Sequence, residues 1–406
     1  MKLIADFHIH SKYSRAVSSR MNLEGLDEWA KIKGIDLIAS GDFTHPQWLS
    51  EMKEKLAPFS TGVYSLKGSS FNSHFIISGE ISLIYSKGGK VRKVHIVVLL
   101  PSIEDAEKLN KELERIGNLK ADGRPILGLD AKEFLKIVLG VSKNALVIPA
   151  HVMTPWFGLY GSKSGFDSIE ECFEELSDQI FAYETGLSAD PSMLLKMKEC
   201  RQRTLLSNSD SHSLEKIGRE ANVFDCELDY FSIMEKIKKN DLLYTIEFYP
   251  QEGKYFNDGH RSCGVNISPE ESYKYGEVCP VCGKKLTIGV LNRTQKLSDI
   301  NEAGGKFKSL VPLKEIISEV LGVGPASKAV NREYEKLIFE FGSEFNILID
   351  QTIEDLEKIN KNIAIGISKA RSGDIEIIPG FDGEFGKINI FSKQEKQDQV
   401  RQKTLF

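Results

Sequence analysis

The chain has 406 residues, 41% of them hydrophobic and 27% charged, with a formal net charge of -5. This length predicts a large core and more than one domain, and the negative charge argues against a protein that coats nucleic acid through bulk charge. No stretch approaches the roughly 20 apolar residues of a membrane span, and the chain turns acidic at Asp6 before a signal-peptide core could form, so we expect a cytoplasmic protein without a membrane partner.

Short apolar runs alternate with amphipathic segments as far as about residue 248, a pattern that predicts an α/β domain with a mostly parallel sheet. Ser102 and Asp130 precede two of the amphipathic segments as helix-capping residues. Strands are predicted at residues 2–10, 36–41, 75–80, 94–100, 146–151, 181–184, 204–208 and 243–248. Roughly eight β/α units favour a closed or distorted barrel over an open sheet.

Metal-binding residue types follow these strands. The first strand ends in Asp6-Phe7-His8-Ile9-His10-Ser11, where alternation along the strand sends both imidazoles to the same side. Later strands are followed by Asp42 with His45, Glu80, His95, His151, Glu184, and Asp210 with His212. Because strand C-termini converge on one mouth of such a barrel, we expect these side chains to share a site. A core histidine is the alternative for each, with most weight at His45 and His95.

Three of the six cysteines cluster with a histidine beyond the predicted barrel. The spacing is His-x2-Cys, fifteen residues, then Cys-x2-Cys, formed by His260, Cys263, Cys279 and Cys282. Such spacing is typical of a closed tetrahedral zinc site, which is structural because no coordination position stays open. Reduced surface thiols are the alternative.

Three segments after the zinc motif, residues 311–322, 327–341 and 344–360, have helical periodicity. The turn Gly322-Val323-Gly324 resembles the glycine turn of a helix-hairpin-helix motif that binds the DNA backbone, and an ordinary helix C-cap explains the same glycines equally well. Residues 375–390 are predicted to form a small β element, and 392–403 to be disordered.

The sequence Gln402-Lys403-Thr404-Leu405-Phe406 resembles the peptide by which bacterial repair enzymes bind the sliding clamp, with Gln402, Leu405 and Phe406 as the contacts. A frayed end with two apolar residues is the alternative.

Asp-x-His-x-His-Ser, Gly-x-Glu, a mid-chain histidine and a late Asp-x-His resemble the polymerase-and-histidinol-phosphatase (PHP) phosphoesterase domain, a distorted β/α barrel. The resemblance implies two to three divalent ions (Zn, Mn or Mg). His8, His10, Glu80 and Asp210 would hold one ion, with Glu80 bridging to a second on His95 and His151. His212 and the Asp42/His45 pair would serve a third, and Glu184 is a further candidate ligand. The chain departs from the family at Ser14-Arg15-Ala16, where many members have a histidine.

The order of modules resembles the endonuclease Q family over nearly the full chain. This resemblance implies a DNA-repair endonuclease that nicks DNA 5′ of uracil, hypoxanthine, xanthine and abasic sites. It divides the chain into a barrel at 1–248, a zinc module at 249–292, a helical DNA-binding domain at 293–372, and a β element with a tail at 373–406.

Glu80, Asp190 and Asp210 are the predicted catalytic residues, although Asp190 could equally cap the helix that follows it. The loop after His151 is predicted to contact DNA or the damaged base through Tyr160, Ser162, Lys163, Ser164 and Phe166, or else to be an ordinary glycine-rich surface loop. A phosphatase or phosphodiesterase of other specificity, and a non-catalytic DNA scaffold, are the alternative functions.

Overall fold

The computed structural model describes residues 1–71, 73–392 and 394–395. The strands are β1 (Lys2–Asp6), β2 (Leu37–Ala39), β3 (Leu56–Ser60), β4 (Val63–Leu66), β5 (His74–Lys87), β6 (Lys90–Leu100), β7 (Ile126–Leu127), β8 (Leu146–Pro149), β9 (Ala182–Glu184), β10 (Thr204–Leu206), β11 (Ala221–Asp225), β12 (Tyr244–Glu247), β13 (Asp258–His260), β14 (Val265–Ile267), β15 (Phe307–Ser309), β16 (Glu376–Ile378) and β17 (Lys387–Asn389). The helices are α1 (Leu23–Lys33), α2 (Pro46–Lys55), α3 (Ile103–Leu113), α4 (Ala131–Val141), α5 (Ile169–Phe173), α6 (Pro191–Leu194), α7 (Lys198–Arg201), α8 (Tyr230–Lys238), α9 (Pro269–Lys274), α10 (Val290–Leu297), α11 (Leu313–Leu321), α12 (Lys328–Phe341) and α13 (Ile353–Ser372).

The central sheet is mixed, which confirms the α/β class but corrects the expectation of a mostly parallel sheet. Its hydrogen-bonded order is β15-β12-β11-β1-β2-β5-β4-β3, and β6 joins β5 to β8. Strands β1, β2 and β5 are parallel to one another, whereas β11 pairs antiparallel with β1, and β6 pairs antiparallel with both β5 and β8. Ser102 and Asp130 cap α3 and α4 as predicted, each accepting a backbone N–H bond.

A two-stranded pair, β9 and β10, connects β8 back to β11. The Val152 amide, just after β8, donates to the carbonyl of Glu184 on β9. The Ser207 amide, just after β10, donates to the Asn222 side chain on β11. The strands β11-β1-β2-β5-β6-β8 and the pair β9-β10 therefore form a continuous series of contacts that returns to its start.

A tight turn makes β6 run back along β5. Gly88 and Gly89 occupy the two turn positions with φ of 60° and 72°, a conformation that two-residue hairpin turns require and that glycine adopts without strain. The antiparallel register places His95 opposite Ser82, two residues from Glu80. His95, at the middle of β6, thus lies at the same level as residues beyond the ends of β1 and β2.

The helical region packs on the α/β part of the chain through a buried ion pair. Lys33 Nζ at the end of α1 lies 2.6 Å from Glu344 Oε2, which also accepts from the Tyr334 hydroxyl at 2.7 Å. The third predicted helix is displaced, because a short π-helical turn covers Asn346–Asp350 and α13 begins only after the cap Thr352. Across the described ranges, every helix is too short or too polar to span a bilayer.

Candidate metal centre

Four side chains form a first cluster at the edge of the sheet where β1 ends, which is the mouth that the sequence predicts. His8, His10, Glu80 and Asp210 each bring one ligand atom within 4.8 Å of the others. His10 Nε2 lies 3.2 Å from Glu80 Oε2 and 3.1 Å from Asp210 Oδ1. His8 Nε2 is buried without a hydrogen-bond partner, 3.5 Å from Glu80 Oε2. An orphaned imidazole nitrogen beside two carboxylates fits a bound divalent cation.

Glu80 also belongs to a second cluster, with His95 and His151. Its other oxygen, Oε1, lies 2.7 Å from His95 Nδ1 and 3.3 Å from His151 Nε2. Burial alone would raise the pKa of Glu80, but His95, Arg124 and His8 hold that pKa well below the usual value. A carboxylate that directs one oxygen into each of two neighbouring ligand sets has the geometry of a metal bridge.

Two further carboxylates lie one layer outside the first cluster. Glu184 Oε2 accepts from His8 Nδ1 at 2.9 Å, and Asp42 Oδ1 accepts from His10 Nδ1 at 3.0 Å. Asp42 Oδ2 accepts from the amide and hydroxyl of Ser11. A carboxylate on Nδ1 fixes the tautomer in which Nε2 carries the lone pair for a metal. The structure therefore places Asp42 and Glu184 behind the histidines, outside both clusters.

His45 and His212 also lie outside both clusters. The His45 ring stacks on Tyr13 with 4.3 Å between ring centroids. His212 packs with its ring centroid 4.6 Å from that of His10, and its Nδ1 lies 3.0 Å from the Asp210 carbonyl oxygen. The structure brings together two ligand sets at the mouth. Among the described residues, those predicted to bind a third ion do not form a third ligand set there.

The backbone is strained at three of the mouth residues. Asp42, His151 and Asp210 have φ values of 45°, 31° and 45°, in the left-handed region that side chains other than glycine rarely adopt. Each residue follows the end of a strand. Such strain persists where the surrounding contacts hold it, and it concentrates at functional sites.

The predicted zinc ligands form a third cluster, separate from the mouth. His260, Cys263, Cys279 and Cys282 bring their ligand atoms within 4.8 Å of one another. Burial alone would raise the pKa of Cys279, but backbone N–H groups of Cys282 and Val281 lower it. Backbone amides that stabilise a thiolate suit a metal-bound cysteine.

The structure contradicts three of the DNA contacts that were predicted in the loop after His151. Tyr160 and Phe166 are fully buried, and Ser164 is 6% exposed. The Tyr160 hydroxyl donates to Glu199 Oε2 at 2.6 Å, and the Ser164 hydroxyl accepts from the Phe157 amide. These side chains form the interior of the loop, so none has a face free for a base.

The surface of this loop is formed by other side chains. Lys163 is exposed, and the Ser162 hydroxyl donates to the carbonyl of Ile288 in the zinc module at 3.2 Å. Trp156, the first aromatic residue of this predicted contact loop, is 39% exposed, and its ring centroid lies 5.4 Å from that of Tyr255.

Asp190 and the glycine turn occupy capping positions. Asp190 Oδ1 accepts from the Met193 amide at the start of α6. Gly322 ends α11 with φ of 70°, whereas Gly324 has open space around its Cα. The structure thus contains the capping arrangement that was the alternative in each case, while their catalytic and DNA-binding roles stay predictions. The tail, Gln402 to Phe406, lies outside the described residues.

Arg124 and Thr154 are site residues that the sequence did not reveal. Arg124 Nη1 lies 3.0 Å from Glu80 Oε2. Thr154 Oγ1 lies 2.8 Å from His151 Nδ1, the position that Glu184 occupies relative to Nδ1 of His8. Neither belongs to a recognisable motif, because tertiary folding alone brings the loop before β7 to Glu80.

Comparison with known proteins finds a family model that matches a short part of the chain and two relatives that match more of it. A family model named MJ0043 C-terminal domain matches residues 312–374, which cover α11, α12 and α13. The uncharacterized protein MJ0043 of Methanocaldococcus jannaschii is 37% identical over 263 residues, 61% of this chain and 32% of that protein. The chain thus spans about a third of that relative. The uncharacterized protein YqxK of Bacillus subtilis is 30% identical over 95% of this chain and 99% of its own length.

Two solved structures match nearly the whole chain. The lesion-specific endonuclease PfuEndoQ from Pyrococcus furiosus superposes with a TM-score of 0.86 at 29% identity, covering 98% of this chain and 99% of that one. A complex of endonuclease Q with a 27-mer duplex substrate, which has an abasic lesion at the active site, gives 0.87 at 30% identity over 98% of both chains.

Proposed function

The chain belongs to the endonuclease Q family, and we propose that it is a nuclease that acts on DNA phosphodiester bonds. On that premise we propose that it hydrolyses the phosphodiester 5′ of deaminated bases (uracil, hypoxanthine and xanthine) and of abasic sites. We further propose that the mouth clusters hold two divalent ions for this reaction and that the His260/Cys263/Cys279/Cys282 cluster holds one structural zinc.

The two-sided placement of Glu80 is the observation that carries the proposal. One carboxylate oxygen faces His10 and Asp210, and the other faces His95 and His151. Mixed imidazole and carboxylate donors suit Zn²⁺ or Mn²⁺. Adjacent ions held there would lower the pKa of a bound water and neutralise charge on the reacting phosphate.

The remaining residues of the mouth orient this machinery. Glu184 and Asp42 keep the proton on Nδ1 of His8 and His10, so that both Nε2 atoms face the first cluster. Asp190 uses Oδ1 to cap α6, and we retain it as a candidate for orienting water through its other oxygen. Hydrolysis adds a water oxygen to phosphorus and breaks the bond to the leaving sugar oxygen, which takes up a proton.

Recognition of damage is proposed to occur outside the duplex. The candidate ligands are buried apart from Asp210, whose side chain is 27% exposed, so a stacked base and its backbone cannot reach them in regular B-form DNA. Ser162 and Lys163 are the predicted contacts whose side chains stay near the loop surface. Weakly paired lesions should therefore be cut at least as well as stably paired ones.

The test is a comparison of substrates with metal-depleted and metal-reconstituted protein. Duplexes with one uracil, one abasic site or no damage are assayed beside a phosphomonoester, and the products are sized on denaturing gels. We expect nicks at the lesion alone, dependent on added Zn²⁺ or Mn²⁺. Phosphomonoester turnover without nicking would favour a phosphatase, and DNA binding without cleavage would favour a scaffold.

We also retain the proposal that Gln402, Leu405 and Phe406 bind a bacterial sliding clamp. Burial of Leu405 and Phe406 would contribute on the order of 2 kcal/mol each before the cost of ordering the segment, which predicts weak, roughly micromolar binding. Deleting residues 402–406 should abolish clamp binding in a pull-down and leave nicking of oligonucleotides unchanged. Full clamp binding by the truncated protein would contradict the assignment.

A further inference from the structure

A loop between α3 and β7, residues 114–125, crosses the mouth and is fixed there by Gly123. A Cβ on Gly123 would lie 2.3 Å from Asp42 Oδ2 and 2.4 Å from Ser14 Oγ, so only glycine allows this close approach. The Thr44 hydroxyl donates to the Gly123 carbonyl at 3.0 Å. The backbone that carries the next residue, Arg124, is therefore held against the carboxylate that orients His10.

Arg124 extends from this fixed point to the candidate metal bridge. Its Nη1 lies 3.0 Å from Glu80 Oε2, and its side chain is 32% exposed, so the guanidinium spans from the buried cluster to solvent. In the described part of the chain, Glu80 is the side-chain partner found for this guanidinium. A guanidinium has five N–H donors, and one such contact leaves its second edge free for another anion.

A second guanidinium lies near the mouth, but its donors are engaged elsewhere. Ions held by the two clusters would offset the charges of Glu80 and Asp210, so the contribution of a guanidinium is a set of directed N–H donors for a phosphodiester oxygen. Arg219 is also close, but it directs Nε at the Ser209 carbonyl and Nη2 at the Asp210 carbonyl. Its donors stabilise the loop that carries Asp210, which leaves Arg124 as the guanidinium directed at the site.

We propose that Arg124 is a catalytic residue that binds a non-bridging oxygen of the scissile phosphate beside Glu80. The proposal rests on the proposed phosphodiester hydrolysis at this mouth. Arg124 donates hydrogen bonds and transfers no proton, while water forms the new bond to phosphorus and the leaving sugar oxygen departs. Charge accumulates on the non-bridging oxygens as the reaction proceeds, so a fixed guanidinium stabilises the transition state more than the ground state.

Substitution of Arg124 tests the assignment against a matched control on the same loop. Arg124→Ala should lower kcat for nicking of an abasic duplex about 10²- to 10³-fold, and Arg124→Lys should recover part of the loss. Millimolar guanidinium ion should raise the rate of Arg124→Ala at least about tenfold, because it replaces the missing group. Arg15 lies 3.3 Å from Asp122 of this loop through an 83% exposed side chain, and Arg15→Ala should stay within about threefold of wild type.

A second measurement tests the role of Arg124 independently of which DNA lesion the protein cuts. Inorganic phosphate binding to metal-loaded protein is measured by calorimetry, and Arg124→Ala should weaken it at least about tenfold with unchanged metal content. If wild type cuts no lesion duplex but Arg124→Ala still weakens phosphate binding, the proposed specificity fails and the role of Arg124 stands. Unchanged phosphate affinity, or loss of bound metal without rescue by guanidinium, would assign Arg124 to support of Glu80 alone and overturn the proposal.

Discussion

The mouth and the proposed zinc module gather candidate metal ligands in opposite ways. Mouth residues come from strands spread between His8 and Asp210, and they are buried apart from Asp210, whose side chain is 27% exposed. Module residues all lie between His260 and Cys282, and Cys282 is exposed. The mouth residues come together only once the chain has folded. The module residues are close in sequence, so metal binding can help that segment to fold.

The surroundings of the two sites differ accordingly. At the mouth, Asp42 and Glu184 hold His10 and His8 through hydrogen bonds of 3.0 and 2.9 Å. In the module, the separate buried apolar cluster consists of Val265, Cys279 and Leu286, whereas Phe256 and Val290 join the main core. Three buried side chains around the cysteines offset little of the conformational entropy of ordering this segment, so we expect a bound metal to contribute to its stability. We infer that the mouth positions its ions, and that the ion positions the module.

The largest expected effect is the loss of activity on removal of Glu80. Glu80→Ala should lower nicking of a lesion duplex by about 10³-fold or more, because both clusters lose the same ligand. The melting temperature and much of the DNA affinity should be retained, since the barrel folds around a preformed site. Nicking on gels and circular dichroism melts measure the two quantities. Near-normal turnover by folded, metal-depleted Glu80→Ala would remove the mouth from the chemistry.

The opposite outcome is expected for the zinc module. Cys279→Ser should lose one zinc per chain and expose residues 255–290 to protease before the barrel, because the metal supplies the folding free energy of this segment. Metal analysis and limited proteolysis measure both. Cys226→Ser is a matched control, since Cys226 is a half-buried cysteine outside the cluster. Unchanged zinc content in Cys279→Ser would refute the structural assignment.

The sequence predicted the local module better than the dispersed mouth. The eight predicted strands coincide with observed ones, because apolar runs and strand-end ligands are local signals, as at His8, His151 and Asp210, but β3, β4, β7, β11 and β15 of the central sheet were not predicted. The antiparallel course of β6 was missed although Gly88-Gly89 is a hairpin signal, so His95 was placed near a strand's start and its position was less secure.

Residues that depend on tertiary packing were the ones misassigned or missed. Tyr160 and Phe166 were predicted to contact DNA or the damaged base because the loop after His151 has aromatic, glycine and hydroxyl residues, but the loop folds over its own aromatic side chains. Arg124 was missed because nothing near it in sequence indicates its distance from Glu80.

An intermediate effect is expected at the outer carboxylates of the mouth. Asp42→Asn and Glu184→Gln should each weaken metal binding or activity about 10- to 100-fold, because the amide no longer fixes the histidine tautomer. The metal dependence of nicking gives the apparent affinity, and excess metal should restore most of the rate. Equal loss at saturating metal would place these carboxylates among the reacting groups instead.

The smallest effect is expected where the two regions meet, at Arg293 of α10. Its guanidinium donates to the carbonyls of Tyr160 at 2.8 Å and Phe166 at 2.9 Å and pairs with Asp167, so the module is attached to the loop that follows His151. Arg293→Lys keeps the charge but cannot make these bonds together, and their loss at a partly buried contact is equivalent to about 1–2 kcal/mol. We expect nicking of a lesion duplex to fall roughly 5- to 30-fold through weaker DNA binding, with zinc content and mouth metal affinity unchanged. Fluorescence anisotropy with a labelled abasic duplex, beside metal analysis, separates these quantities.

Arg332→Lys, at an exposed position of α12, controls for loss of an arginine elsewhere. If Arg293→Lys bound and cut DNA as wild type does, the module and the mouth would act independently; a loss of zinc would show instead that the barrel helps to fold the module.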